Sequence, residues 1–186
     1  MLNVKIKEAT KVAHQQLEKK VVERLKAIRS EEDYADFLTL FYAYFSGVEQ
    51  AIAPFITPEL LPDYKERRNA SYLKQDIQEL VSEIGSLPEV RVPNITNKQQ
   101  AMGALYVMEG SIMGGSIIVK MLEKGGISKG ISFFSGYGES TGQKWGVFTA
   151  ALNEVAKTAE EEELAIEAAN ETFTRFGEVF NAINVA

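Results

Sequence analysis

Apolar residues recur every three to four positions along almost the whole chain, and no segment alternates apolar with polar residues as a half-buried strand does. That period limits the fold to helices packed on helices. The reading is an all-α, single-domain, multi-helix bundle over residues 1–186, a length that suits one domain. With 45% hydrophobic and 25% charged residues, the chain has enough apolar surface to bury a core.

The spacing predicts a first helix over 4–28, with Leu17, Val21, Leu25 and Ile28 as its buried stripe and His14 at the start of that stripe. Ser30 with Asp33 reads as a capping box for a second helix. Its face carries Tyr34, Phe37, Leu38, Phe41, Phe45, Val48 and Ile52. Thr57-Pro58-Glu59 predicts a short helix at Leu60-Leu61, and a longer one follows over 67–84, capped by Gly85. Prolines 88 and 93 make the next stretch a loop. Thr96 with Gln99 reads as the box that opens a helix closed by Gly125-Gly126. After a glycine-rich connection to Gly142, one helix carries Trp145, Phe148, Leu152 and Val155. Thr158 with Glu161 caps a last helix, holding Leu164, Phe173, Phe176, Phe180 and Ile183. The acidic run 160–163 at its start suits the helix dipole and solvent better than a cation.

Composition removes several chemistries. No cysteine is present, so disulfides, thiolate zinc sites, cysteine nucleophiles and iron–sulfur clusters are excluded. His14 is the only histidine, so a di-iron bundle built on two Glu-x-x-His motifs is excluded as well. A net charge of −6, from 26 acidic and 20 basic residues, does not fit a nucleic-acid partner. The start of the chain carries acidic residues and lacks the apolar core of a signal peptide. No apolar run reaches the roughly 18 residues of a membrane span, so the expected location is the cytoplasm.

Two features exceed what a generic bundle needs. The stretch 103–115, GALYVMEGSIMGG, places four glycines in 13 residues of predicted helix, although an interior glycine costs about 1 kcal/mol against alanine. Gly103, Gly110 and Gly114 share one face, which suits either approach to a large flat ligand or close packing of a neighbouring helix. Met113 on the same helix reads as a flexible core filler.

The second feature is His14. Glu18, one turn on, is placed to hold one ring nitrogen and leave the other for a metal. Lys7 and Lys11 continue the same helix edge. An imidazole beside cations and a glycine-bare helix together fit haem, a flat macrocycle with an iron and two carboxylates.

The segment 2–18, LNVKIKEATKVAHQQLE, resembles the histidine-bearing proximal helix of the haem oxygenases, in which Lys-Glu-Ala-Thr-Lys leads into the haem ligand. The segment 103–122, GALYVMEGSIMGGSIIVKML, resembles the kinked distal helix, particularly in the bacterial branch associated with bacteriophytochromes. Segments 67–80 and 133–152 are similar to that branch too. The resemblance implies haem held between the first helix and the glycine-rich one, with His14 as iron ligand and Glu18 as its partner. It implies Lys7 and Lys11 near the propionates, and Gly110, Gly114 and Gly115 as distal glycines that leave room for dioxygen. Arg175 is a further propionate candidate by its helix position.

The implied activity is oxidative opening of haem to biliverdin, iron and carbon monoxide, with haem as both substrate and cofactor. Dioxygen and an external electron donor, a ferredoxin, flavodoxin or reductase, complete the reaction. Ser111 stands where many family members carry an aspartate that anchors distal water. Serine is shorter and uncharged, and this departure favours the alternative of a non-catalytic haem carrier or sensor with the same fold.

Overall fold

The first predicted helix is broken at Thr10, where the backbone turns to φ −102° and ψ 1°. Its amide and its hydroxyl both donate to the Ile6 carbonyl, at 3.0 and 2.7 Å, while its own carbonyl accepts from His14. A hydroxyl bonded back to the carbonyl four residues earlier bends a helix, and here it divides one helix into two. These are α1 (Leu2–Ala9) and α2 (Lys11–Lys26). The computed structural model describes residues 1–181, so Ile183 lies outside the described residues. Among those described, five more helices follow and there is no strand: α3 (Glu31–Ile52), α4 (Ala70–Leu80), α5 (Lys98–Lys124), α6 (Thr141–Val155) and α7 (Ala159–Asn181).

Caps explain most of the boundaries. The Ser30 hydroxyl accepts from the Asp33 amide at 3.1 Å, as expected. Asn69 accepts from Ser71, so α4 starts at Ala70 and leaves Arg67 and Arg68 outside the helix that was expected to contain them. That helix also stops early, because Val81 turns extended, and Gly85 caps nothing. Leu60 and Leu61 form one turn closed onto the Thr57 carbonyl, not a helix. Asn97, rather than Thr96, caps α5 by accepting from Gln100 at 2.8 Å. Thr158 accepts from Glu161, and Glu161 accepts from Lys157, so the acidic run satisfies the start of α7. Its Glu162 pairs with Lys5 of α1.

The core is aromatic. Phe37, Phe41 and Phe45 of α3 meet Phe133 and Phe134 of the glycine-rich connection and Phe176 and Phe180 of α7. Phe41 sits at the centre, 4.9–5.3 Å from Phe37, Phe134 and Phe176. Such ring pairs add about 0.5–1.5 kcal/mol beyond burial. The glycine-rich connection is tied down by Asp76 of α4, whose carboxylate accepts from the amides of Ser132 and Phe133.

Two glycines set the position of α5. A Cβ on Gly103 would lie 2.1 Å from the Ala165 carbonyl oxygen of α7, and one on Gly115 would lie 2.0 Å from that of Phe134. Neither backbone contact admits a side chain. By length and composition alone α5 could cross a membrane, but half of that apolar window is buried in the bundle. Gly103→Ala should lose about 1–3 kcal/mol in urea unfolding. Gly114→Ala, which would meet nothing within 4 Å, should hold or gain up to about 1 kcal/mol from helix propensity.

Candidate functional site

Helices α2 and α5 both pack on α7 and touch each other. One turn beyond Thr10 stands His14, and one turn beyond Tyr106 stands Gly110, with Gly114 a turn further. The His14 side chain is 54% exposed, so it is not a core histidine. Its ring stacks on Phe173 of α7, with centroids 5.2 Å apart and planes 23° apart. The Nε2 atom lies 3.5 Å from Glu18 Oε1, which leaves Nδ1 free of that carboxylate. A half-turn of the ring exchanges the two nitrogens.

The facing stretch of α5 is bare. Gly110 is half-buried, Gly114 is exposed, and Met113 and Ile117 are exposed as well. Met113 is therefore no core filler. Trp145 of α6 borders this stretch: its Cη2 lies 3.7 Å from the position a Gly110 Cβ would take. Lys7 and Lys11 are exposed and form no ion pair among the described residues.

Behind α5 lies a buried charge network. Arg67 donates to Glu109 at 2.8 Å and to Asp63 at 2.8 Å, and Lys144 donates to the other Asp63 oxygen at 2.9 Å. The Arg68 guanidinium donates to the carbonyls of Phe133 and Met108 and to the Ser111 hydroxyl, the last at 2.7 Å. Ser111 in turn donates to the Met108 carbonyl at 2.6 Å. Its single hydroxyl hydrogen is thereby committed. Tyr137 accepts from the Arg68 amide at 2.9 Å and lies 3.3 Å from Glu109. Burial lowers Arg68 to about 10, so it stays protonated at neutral pH. Burial also raises Glu109, although Arg67 and Arg68 pull it back. A cavity of about 200 Å³ adjoins Arg68, Glu109 and Glu49, and neither His14, Gly110 nor Gly114 lines it.

Sequence reasoning and structure agree unevenly over this region. His14 and Glu18 lie on α2, and half-buried Gly110 and exposed Gly114 lie on α5, the helix that α2 touches. Gly115 is buried against Phe134 and serves helix packing, as does Gly103. Arg175 lies two residues from Phe173, about 200° around α7, and its guanidinium pairs with Glu171 and Glu178. The structure does not bring it to His14. Lys20 of α2 reaches α7 instead, donating to the Gly177 carbonyl at 3.4 Å. Arg67, Arg68 and Glu109 went unnoticed in the sequence. The available signal was a lone carboxylate, Glu109, inside the apolar run of α5.

An all-helical chain with one exposed imidazole set near a glycine-bare helix has the general form of a haem-binding helical protein. A family model described as "Heme oxygenase" matches residues 1–182. A heme oxygenase of Xanthomonas campestris pv. campestris is 27% identical over 148 residues, which cover 78% of this chain and 87% of the relative. The heme oxygenase PigA of Pseudomonas aeruginosa is 25% identical over 173 residues, covering 91% and 86%. Among solved structures, the NO- and CO-bound heme oxygenase of Neisseria meningitidis shares the fold at a TM-score of 0.84 and 23% identity, covering 98% of this chain and 91% of that one. Heme oxygenase-1 of Synechocystis, solved in complex with heme, shares it at 0.68 and 17%, with the same coverage.

The chain belongs to the haem oxygenase family. Family and fold together support haem binding and a haem-degrading oxygenase activity at family level. These relatives establish the family, not the bacteriophytochrome-associated branch within it.

The charge network gives two stability predictions. Glu109→Ala removes one of the two carboxylates paired with buried Arg67 and should cost about 3 kcal/mol in urea unfolding, less than full loss of its partners because Asp63 remains. Burial alone would raise Asp63, but hydrogen bonds from Arg67 and Lys144 outweigh it and hold the carboxyl below its ordinary 3.8. A depressed carboxyl stabilises the fold above its unfolded value and loses that contribution as pH falls through its folded one. Asp63→Asn should therefore be less stable than the wild type at pH 7, with the gap closing below pH 3.8 in parallel urea titrations.

Proposed function

We propose that haem seats between α2 and α5, and that the chain opens it to biliverdin, iron and carbon monoxide with dioxygen and electrons from an external donor. The observation that carries this reading is His14: the only histidine, half exposed, braced on Phe173, and carried on α2, which touches the helix that bears Gly110 and Gly114. The residues fit the group. An exposed imidazole offers a nitrogen to iron, and Glu18 takes the other. A Cβ at Gly114 would meet no atom within 4 Å, so the backbone there can come close to a flat ligand. Lys7 and Lys11 leave two free cations for its carboxylates.

Haem, when bound, supplies the redox iron and is itself the substrate. The protein's part is to hold and orient it. Phe173 restricts rotation of the His14 ring, so the imidazole plane is set before binding. Ser111 stays committed to Met108 and Arg68, and Gly110 and Gly114 add only backbone to the exposed surface. Protons for the reaction would then come from water ordered by backbone groups rather than from an acidic side chain. Electrons would come from a ferredoxin, a flavodoxin or a reductase.

That committed hydroxyl is also what favours the second reading, a haem carrier or sensor with little turnover. Addition of one equivalent of hemin, followed by reductant in air, separates the two. A sharp Soret band that decays to a biliverdin spectrum is expected; a stable Soret band without bilin would support the carrier, and no Soret shift would defeat both. His14→Ala should abolish the imidazole-ligated haem spectrum, and an unchanged spectrum would remove His14 from the ligand role.

A further inference from the structure

A flat ligand gripped between an imidazole and a bare helix is fixed along the axis through the metal, yet it can still rotate about that axis. Its orientation within the plane must come from rigid groups at its rim. Carboxylates on lysines are a loose tether, because lysine side chains have many rotamers. We propose that Trp145 of α6 fixes that rotation, and so selects the meso carbon at which haem is opened. The inference rests on the haem-seating reading above.

Trp145 is the only tryptophan. The edge of its six-membered ring lies against Gly110, with Cη2 and Cζ3 at 3.7 and 4.0 Å from the position a Cβ would take there. It reaches α5 one turn past Tyr106, on the stretch that the reading above turns toward haem. The indole is braced from two sides. Tyr106 meets it with ring centroids 5.7 Å apart, and Phe148 stacks on it at 5.6 Å and 30°. Phe148 is fully buried, so this backing is part of the core and cannot swing aside. Trp145 itself remains half-buried, with some surface left for contact.

Its neighbours reinforce the assignment. Gly142 and Gly146 flank it on α6, and a Cβ on either would meet nothing within 4 Å. Trp145 is therefore bordered on α6 by two positions that leave open space beside its ring. Indole has two rotatable bonds and a rigid plane, so it can act as a stop at low entropic cost. Met113, exposed one turn from Gly110, is flexible and cannot define an orientation.

The test compares wild type, Trp145→Phe and Trp145→Ala, each loaded with one equivalent of hemin. Proton NMR of the cyanide-bound ferric protein reads the haem methyl shifts, which report in-plane seating without any turnover. Chromatography of the bilin then reads the ratio of biliverdin isomers. The expected result is a second set of methyl resonances and a changed isomer ratio, larger for alanine than for phenylalanine, with the imidazole-ligated Soret band retained. Unchanged methyl shifts and isomer ratio in both variants would overturn the proposal, even if stability or hemin affinity fell, because that is the pattern of a residue that only packs α6 on α5. A wild type that binds no hemin would fail the seating reading itself, and an intact NMR spectrum without bilin would fail only the turnover part.

Discussion

The arrangement depends on two places where α5 touches another backbone directly. At Gly103 and Gly115 the carbonyls of Ala165 and Phe134 occupy space that a side chain would need. These contacts set α5 against α7 and against the glycine-rich connection. Between them Met113 and Gly114 are exposed, and Trp145 of α6 borders Gly110. The same two contacts leave Glu109 and Ser111 turned toward Arg67 and Arg68 behind the helix. One element thus carries a charged side and a barer one, and the separation comes from where its glycines are crowded and where they are not.

Much of the fold was legible because helix packing depends on local period and local caps. The aromatic face of α3, the Ser30 and Thr158 caps and the extent of α5 were all readable from neighbouring residues. The errors in helix boundaries lie where a side-chain hydrogen bond overrides the apolar spacing. Thr10 breaks the first helix through its own hydroxyl, in a stretch whose apolar spacing is continuous. Asn69 captures the start of α4, which leaves Arg67 and Arg68 free to enter the interior.

The candidate site divides in the same way. His14 and Glu18 were found because they are one turn apart on one helix. The glycine spacing could not say which positions are crowded, since that depends on Ala165 and Phe134, far along the chain. Arg175 suited a ligand by helix position, but Glu171 and Glu178 claim its guanidinium. Trp145 looked like one more core aromatic, and only its approach to Gly110 distinguishes it.

The stacking of His14 on Phe173 joins residues separated by most of the chain. Contacts so distant in sequence form late, since the loop between them must close first. During synthesis α2 leaves the ribosome well before α7, which supports the imidazole. A nascent chain stopped before α7 would hold the histidine without its platform, and without the Ala165 contact that seats α5. The histidine therefore acquires its environment only when translation of the last helix is complete. Shortening the C-terminal end into α7 would remove the site as a unit rather than weaken it by degrees.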